Sequence, residues 1–187
     1  PEEAEKARAI RRQGKTTMVS PVAMWERLFT KGLRGIIQEA EAGIERVRSG
    51  EEAEAKKASF WRGVIICCQA VIHYARRYSR LAQELAQGEP DPARRRELEQ
   101  VAENCERVPE YPARTLQEAI QSRIIWGIAM KWCQTNFVSD ESGRLDQYLY
   151  PYFISDIREH RLTMEQAGDL IGTLISNLAR RDGVKNV

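Results

Sequence analysis

Apolar residues recur along this chain at intervals of three and four, the spacing that lines one face of an α-helix. The longest such run lies between about Glu51 and Gln87. There Phe60, Val64, Cys67, Cys68, Val71, Ile72, Ala75, Tyr78, Leu81, Ala82 and Leu85 follow the rule and predict one long helix closed by Gly88. Upstream, Ser20-Pro21 pairs an N-cap residue with a proline at the first helical position, which predicts the start of a short helix. After Gly32, the positions Leu33, Ile36, Ile37, Ala40, Ile44 and Val47 predict a second helix, ended by Ser49-Gly50. Downstream, Asp91-Pro92 repeats the cap-plus-proline signal ahead of Leu98, Val101, Ala102 and Cys105, and Pro109 and Pro112 forbid continuation.

Thr115 and Glu118 have the spacing of a capping box, in which each side chain accepts from the other residue's otherwise unpaired amide. The helix that follows should run to about Trp132. It is apolar on more than one side (Ala119, Ile120, Ile124, Ile125, Trp126, Ile128, Ala129), the mark of a helix covered all round. Thr163 and Gln166 repeat the box before a final amphipathic helix carrying Met164, Ala167, Leu170, Ile171, Leu174, Ile175 and Leu178. Between these two helices the pattern breaks. Turn formers Asn136, Ser139, Asp140, Ser142 and Gly143 interrupt it, and Tyr148, Tyr150, Tyr152 and Phe153 cluster behind them. Function is to be sought in this stretch, 134–153.

Composition narrows the class without naming a chemistry. With 187 residues, 42% hydrophobic and 30% charged, the chain can bury a core, and it carries no collagen-like or low-complexity bias. Twenty-nine basic against 27 acidic residues leave a net charge of +2, too small for a phosphate-tracking surface, so nucleic acid is not an expected partner. The apolar run Gly63–Cys68 is about a third of a membrane span, so neither is a membrane. A cytoplasmic protein is expected. Cys67, Cys68, Cys105 and Cys133 form no CxxC and have no histidine at ligand spacing, so no metal is expected, and the pair at 67 and 68 reads as small buried hydrophobes.

Each candidate for chemistry has a plainer structural reading. Asp140 and Glu141 could share acid and base roles but read as solvated loop carboxylates. His73 and His160 read as helix-surface and turn residues, and Arg76, Arg77 and Arg80 as a solvated helix face rather than an anion clamp. There is no GxGxxG, Walker loop, HExxH or GxSxG.

Read in order, several segments resemble the glycyl radical enzymes of the pyruvate formate-lyase-like family. Tyr74-Ala-Arg-Arg-Tyr-Ser-Arg-Leu-Ala82 is similar to that family's long-helix pattern and is followed by Arg95-Arg-Glu-Leu98. Then come Cys105-Glu-Arg-Val-Pro109, Pro112-Ala-Arg-Thr-Leu-Gln-Glu-Ala-Ile-Gln121 and Gly143-Arg-Leu-Asp-Gln-Tyr-Leu-Tyr-Pro-Tyr152, with Asp156-Ile and Leu162-Thr163 behind. The resemblance spans about residues 28 to 180. It implies a mainly α chain, a helical segment of the family's ten-stranded α/β barrel, with one or two short strands near 136–147.

The resemblance further implies a single segment over 1–187, with residues 1–20 flexible, of an enzyme several times longer. In that enzyme a glycyl radical, installed by a radical S-adenosylmethionine activating enzyme, generates a cysteine thiyl that abstracts hydrogen from substrate. None of the four cysteines here stands in the family's Cys-x-Glu setting, and Arg181-Asp-Gly183-Val has no aromatic after its glycine. The radical elements are therefore expected to lie outside this chain, which binds no cofactor itself and is inactive alone. Asn136, Phe137, Val138 and Ser139 align with the stretch that faces substrate, where diol and choline members often carry Gly-His-Ser after the Asn. Phe137 and Val138 suit an apolar substrate, as in the arylacetate decarboxylase or benzylsuccinate synthase branch, because an unpaired polar group beside such a ligand costs a few kcal/mol. Arg144, Asp146, Gln147 and Tyr150 are expected to be structural, the first two as an ion pair or brace at a barrel strand. Expected partners are the rest of the enzyme and the activating enzyme, in an anaerobic cytoplasm, with a homodimer possible. The competing expectation is a stand-alone helical interaction module whose homodimer partner covers the 115–132 helix.

Overall fold

The computed structural model describes residues 24–47, 52–133 and 142–183, and all regular structure among them is helical. There are six helices among the described residues: α1 (Trp25–Glu45), α2 (Glu52–Gly88), α3 (Pro92–Arg107), α4 (Leu116–Cys133), α5 (Leu145–Arg158) and α6 (Met164–Gly183). The expected helix start at Ser20-Pro21, the 1–20 tail and the Ser49-Gly50 stop lie outside the described residues.

Gly32 divides α1 in two, as the change of pattern there predicts. Its φ of 65° and ψ of 173° interrupt the helix. A Cβ at this point would sit 2.5 Å from the Glu110 carbonyl oxygen, so no other residue fits. The kink lets the second arm of α1 dock on the 108–112 turn. Leu33 N donates to Pro109 O at 2.8 Å and Arg34 N to Glu110 O at 2.9 Å, and the Val108-Pro109 peptide between them and α3 is cis.

The caps follow the expected chemistry with one difference. Asp91 accepts from Ala93 N at 3.0 Å at the start of α3, and Thr163 and Gln166 complete a reciprocal box before α6. At α4 only half the box forms. Thr115 Oγ1 accepts from Glu118 N at 3.1 Å, but the Glu118 carboxylate turns to Arg114, taking its backbone N–H at 2.7 Å and its guanidinium at 2.6 Å. A charged donor outbids the neutral Thr115 amide. The amide of Leu116 is satisfied instead from a distant helix, by Asp156 Oδ2 at 2.8 Å.

α4 is the hub. It touches α1, α2, α3, α5 and α6, and no residue from Leu116 to Met130 is exposed. A partner molecule is not needed to cover it, because Phe29, Leu33, Ile72, Leu149 and Leu174 from its own chain pack into one core with Leu116, Ala119 and Ile120.

The expectation of strand near 136–147 is corrected where the chain is described. Leu145, Asp146 and Gln147 are the first turn of α5, and residues 136–141 lie outside the described residues. The aromatic cluster likewise belongs to a helix. Leu145, Tyr148, Leu149, Tyr152, Phe153 and Asp156 keep the three-then-four spacing, and Pro151 sits inside α5 without ending it.

Candidate functional site

Arg123 sits near the middle of α4, just before the apolar run Ile124-Ile125-Trp126, and is 0% exposed. Its guanidinium donates to Tyr148 Oη at 3.2 Å and to Ser142 Oγ at 2.9 Å, and Tyr148 Oη in turn donates to Ser142 O at 2.8 Å. The guanidinium carbon also lies 4.6 Å from the Trp25 ring centre, on a face that attracts cations. A buried cation of this kind is tolerated only with its donors engaged. One side chain thus ties α4 to α5 and to Ser142, the residue at which the described chain resumes after segment 134–141.

Aromatic rings wall this polar knot. Phe29 meets Tyr148 at 5.7 Å and Tyr152 at 5.9 Å, both edge to face, and Trp25 meets Tyr148 at 6.1 Å. Burial pushes the Tyr152 hydroxyl above its ordinary pKa. Beside the knot opens a cleft of about 580 Å³, lined by Trp25, Arg27, Lys31, Gly143, Arg144, Gln147 and Tyr148 among others. Its cations are already matched. Arg27 and Lys31 both pair with Glu39, and Arg144 makes a two-pronged pair with Asp146 at 2.8 and 3.0 Å, which holds the Asp146 carboxyl below its ordinary pKa.

The buried carboxylates are matched as well. Glu110 bridges Arg34 at 2.7 Å and Arg76 at 2.6 Å; Asp156 takes Arg161 Nε at 2.7 Å besides the Leu116 amide. Burial raises the Glu118 pKa, but hydrogen bonds and charge from Arg114, with the charge of Arg107, outweigh that and hold it below the ordinary 4.5. Among the described residues no three His, Cys, Asp or Glu side chains come together as a metal site, and no helix is long and apolar enough to cross a membrane.

The predicted site residues fare unevenly. Asn136, Phe137, Val138 and Ser139, with Asp140 and Glu141, lie outside the described residues. Arg144 and Gln147 reach the cleft, while Tyr150 is exposed and packs near Phe153 at 6.3 Å. The Arg144–Asp146 pair sits at the start of a helix, not on a strand, and is open to solvent in this chain. His73, His160, Arg77 and Arg80 are exposed, and Arg76 belongs to Glu110. Cys68 and Cys105 are buried as expected, with burial raising their thiols to about 11 and about 12; Cys67, a hundred degrees round the helix from Cys68, is exposed, which corrects its reading as a buried residue. Tyr148 belongs to the aromatic cluster that the pattern marks, but Arg123 and Trp25 do not stand out from it, although a lone arginine inside Ile120–Ala129 is a signal of its own.

The sequence model of the pyruvate formate lyase-like family matches residues 10–186. The chain belongs to this family. Isethionate sulfite-lyase of Nitratidesulfovibrio vulgaris is 35% identical over 157 residues, covering 83% of this chain and 19% of that protein. The glycerol-bound form of the B12-independent glycerol dehydratase from Clostridium butyricum superposes with a TM-score of 0.80 at 30% identity, over 85% of this chain and 20% of that one. A glycyl radical enzyme from Archaeoglobus fulgidus superposes at 0.73 with 32% identity, over 92% and 23%. The six helices are thus a helical part of the glycyl radical enzyme fold, and the chain spans about a fifth of the length of the curated relatives it matches. No cysteine is followed by x-Glu, and Gly183 ends α6 in helical conformation.

Proposed function

We propose that this chain serves as one segment of a carbon-radical lyase, decarboxylase or dehydratase, supplying scaffold helices and a substrate-facing stretch at Asn136–Ser139, and that it does not turn over alone. The observation that carries this reading is the buried Arg123 tether. It fastens Ser142, just beyond that stretch, to the helix that leads into it, a rigid mounting of the kind a substrate-contacting loop requires. Arg144, Asp146, Gln147 and Tyr150 then act structurally, the first pair bracing the start of α5.

The glycyl radical of the complete enzyme supplies the hydrogen-abstracting chemistry, and an activating enzyme of the radical S-adenosylmethionine type installs it. The role of this chain is to bind and exclude water. Phe137 and Val138 present apolar surface where a histidine would serve a diol, which favours an arylacetate or hydrocarbon substrate in a cytoplasmic, anaerobic enzyme. Substituting Val138→His in the complete enzyme tests this: kcat/KM for such a substrate falls at least about tenfold, since a polar group left unpaired beside an apolar ligand costs on the order of 1–3 kcal/mol. An unchanged kcat/KM removes the substrate assignment.

A further inference from the structure

Four arginines from four parts of the fold gather at the turn between α3 and α4. Arg34 of α1 and Arg76 of α2 hold the two oxygens of Glu110, at 2.7 and 2.6 Å. Arg107, in the last turn of α3, and Arg114, just before α4, share Oε1 of Glu118, at 3.4 and 2.6 Å. Tyr111 joins the two pairs, because its side chain hydrogen-bonds Arg34 and its ring centre lies 5.7 Å from the Arg107 guanidinium carbon. Both carboxylates are buried beneath the turn. The side chains of Arg34, Arg76 and Arg114 are 50%, 41% and 65% exposed above them.

One arginine would neutralise each carboxylate. A second on each leaves two positive charges in excess, and guanidiniums that share a carboxylate repel one another unless a further anion lies among them. No third carboxylate pairs with any of the four among the described residues. Arg76 also carries a donor in want of an acceptor, since its Nε is enclosed with no hydrogen-bond partner among the described residues. Each guanidinium has five N–H donors in a rigid fork, so the bonds to Glu110 and Glu118 leave donors over on the exposed arginines. We propose that this arginine rim binds a phosphate dianion. Its two charges balance the excess, where a carboxylate would bring only one, and its tetrahedral oxygens accept from guanidinium edges that arrive from different helices.

Isothermal titration calorimetry of the 187-residue chain with inorganic phosphate at about pH 8, against chloride at matched ionic strength, tests the site. Saturable binding with a Kd of about 1 mM or tighter is expected, and no saturation up to about 10 mM overturns the proposal. Sulfate, also a dianion, should compete and nitrate should not; equal competition by nitrate overturns the charge match. Arg34→Ala and Arg114→Ala each leave their carboxylate one arginine and should weaken binding at least about fivefold. Unchanged affinity in both overturns the placement, as does an equal loss in Arg94→Ala, an exposed arginine at the far end of α3 that pairs with Glu97. Circular dichroism on every variant separates lost binding from lost folding. Should an alanine variant fail to fold, Arg34→Lys keeps the charge without the fork and should still weaken binding at least about twofold; full affinity there overturns the site. Family membership and the role proposed for Asn136–Ser139 are unaffected by any of these outcomes.

Discussion

The Arg123 guanidinium lies against the Trp25 ring, 4.6 Å from its centre, while its N–H groups reach Tyr148 and Ser142. A residue of α1 thereby stacks on a cation that also donates to Tyr148 of α5 and to Ser142 just before it. Removing the cation uncouples three elements and takes a charged donor away from the buried Tyr148 hydroxyl and the half-buried Ser142. Arg123→Ala should lower the free energy of unfolding by about 3 kcal/mol, measured in urea; a loss below about 1 kcal/mol means the tether does not hold the fold. Arg123→Lys should recover part of that loss at most, because an ammonium cannot both stack and fork.

Gly32 holds a φ of 65° with the backbone of Glu110 and Tyr111 less than 3 Å from where a Cβ would be. Gly32→Ala should cost more than about 2 kcal/mol, combining left-handed strain with a backbone collision that cannot relax by side-chain rotation. Thermal denaturation checks it. A variant within a few tenths of the wild type would show that α1 can straighten.

Glu110 is buried and bridges Arg34 and Arg76, which are themselves about half exposed. Truncating it with Glu110→Ala should destabilise by about 1–3 kcal/mol, less than for a fully buried pair because the two arginines can reach water. In double-mutant cycles Arg34→Ala and Arg76→Ala should each couple to it. Additivity with both would show that the bridge contributes nothing.

Glu118 gives the acid limb of stability. Its carboxyl is held below 4.5 when folded, so the contribution is complete above 4.5 and disappears as pH falls through the lowered folded value. Unfolding free energy should therefore drop with acid below about pH 4.5, and Glu118→Gln should flatten that slope while lowering stability at neutral pH. An identical slope in the variant assigns the acid sensitivity elsewhere.

The cysteines divide by burial. At pH 8 an alkylating reagent should modify Cys67 in the folded chain and spare Cys68 and Cys105, whose thiols are raised to about 11 and about 12 by burial. Peptide mass mapping reads this directly. Equal labelling of Cys67 and Cys68 would mean that α2 does not present the faces described.

Helix positions were legible wherever an apolar stripe and a cap coincided, as at Asp91-Pro92 and Thr163–Gln166, because both signals are local. α5 was hidden by its own composition. Pro151 and the turn formers before Gly143 masked a regular stripe from Leu145 to Asp156. The Glu118 switch from Thr115 to Arg114 depends on a guanidinium brought alongside by the 108–115 turn, which residue spacing alone does not determine. Arg123 was missed for a related reason: hydrophobic periodicity counts apolar positions, and a buried charge registers only as a gap until the groups around it are known. The candidate loop was located by broken pattern and resemblance, and its tether only by the fold.

The proposed function makes this chain one part of a larger radical enzyme. Sequencing the coding DNA on both sides of residues 1–187 tests that most directly. A continuous reading frame that reaches a Cys-x-Glu and a radical-glycine loop is the expected result. A frame bounded by start and stop codons at these ends, together with a purified 187-residue protein that turns over substrate unaided, would contradict it.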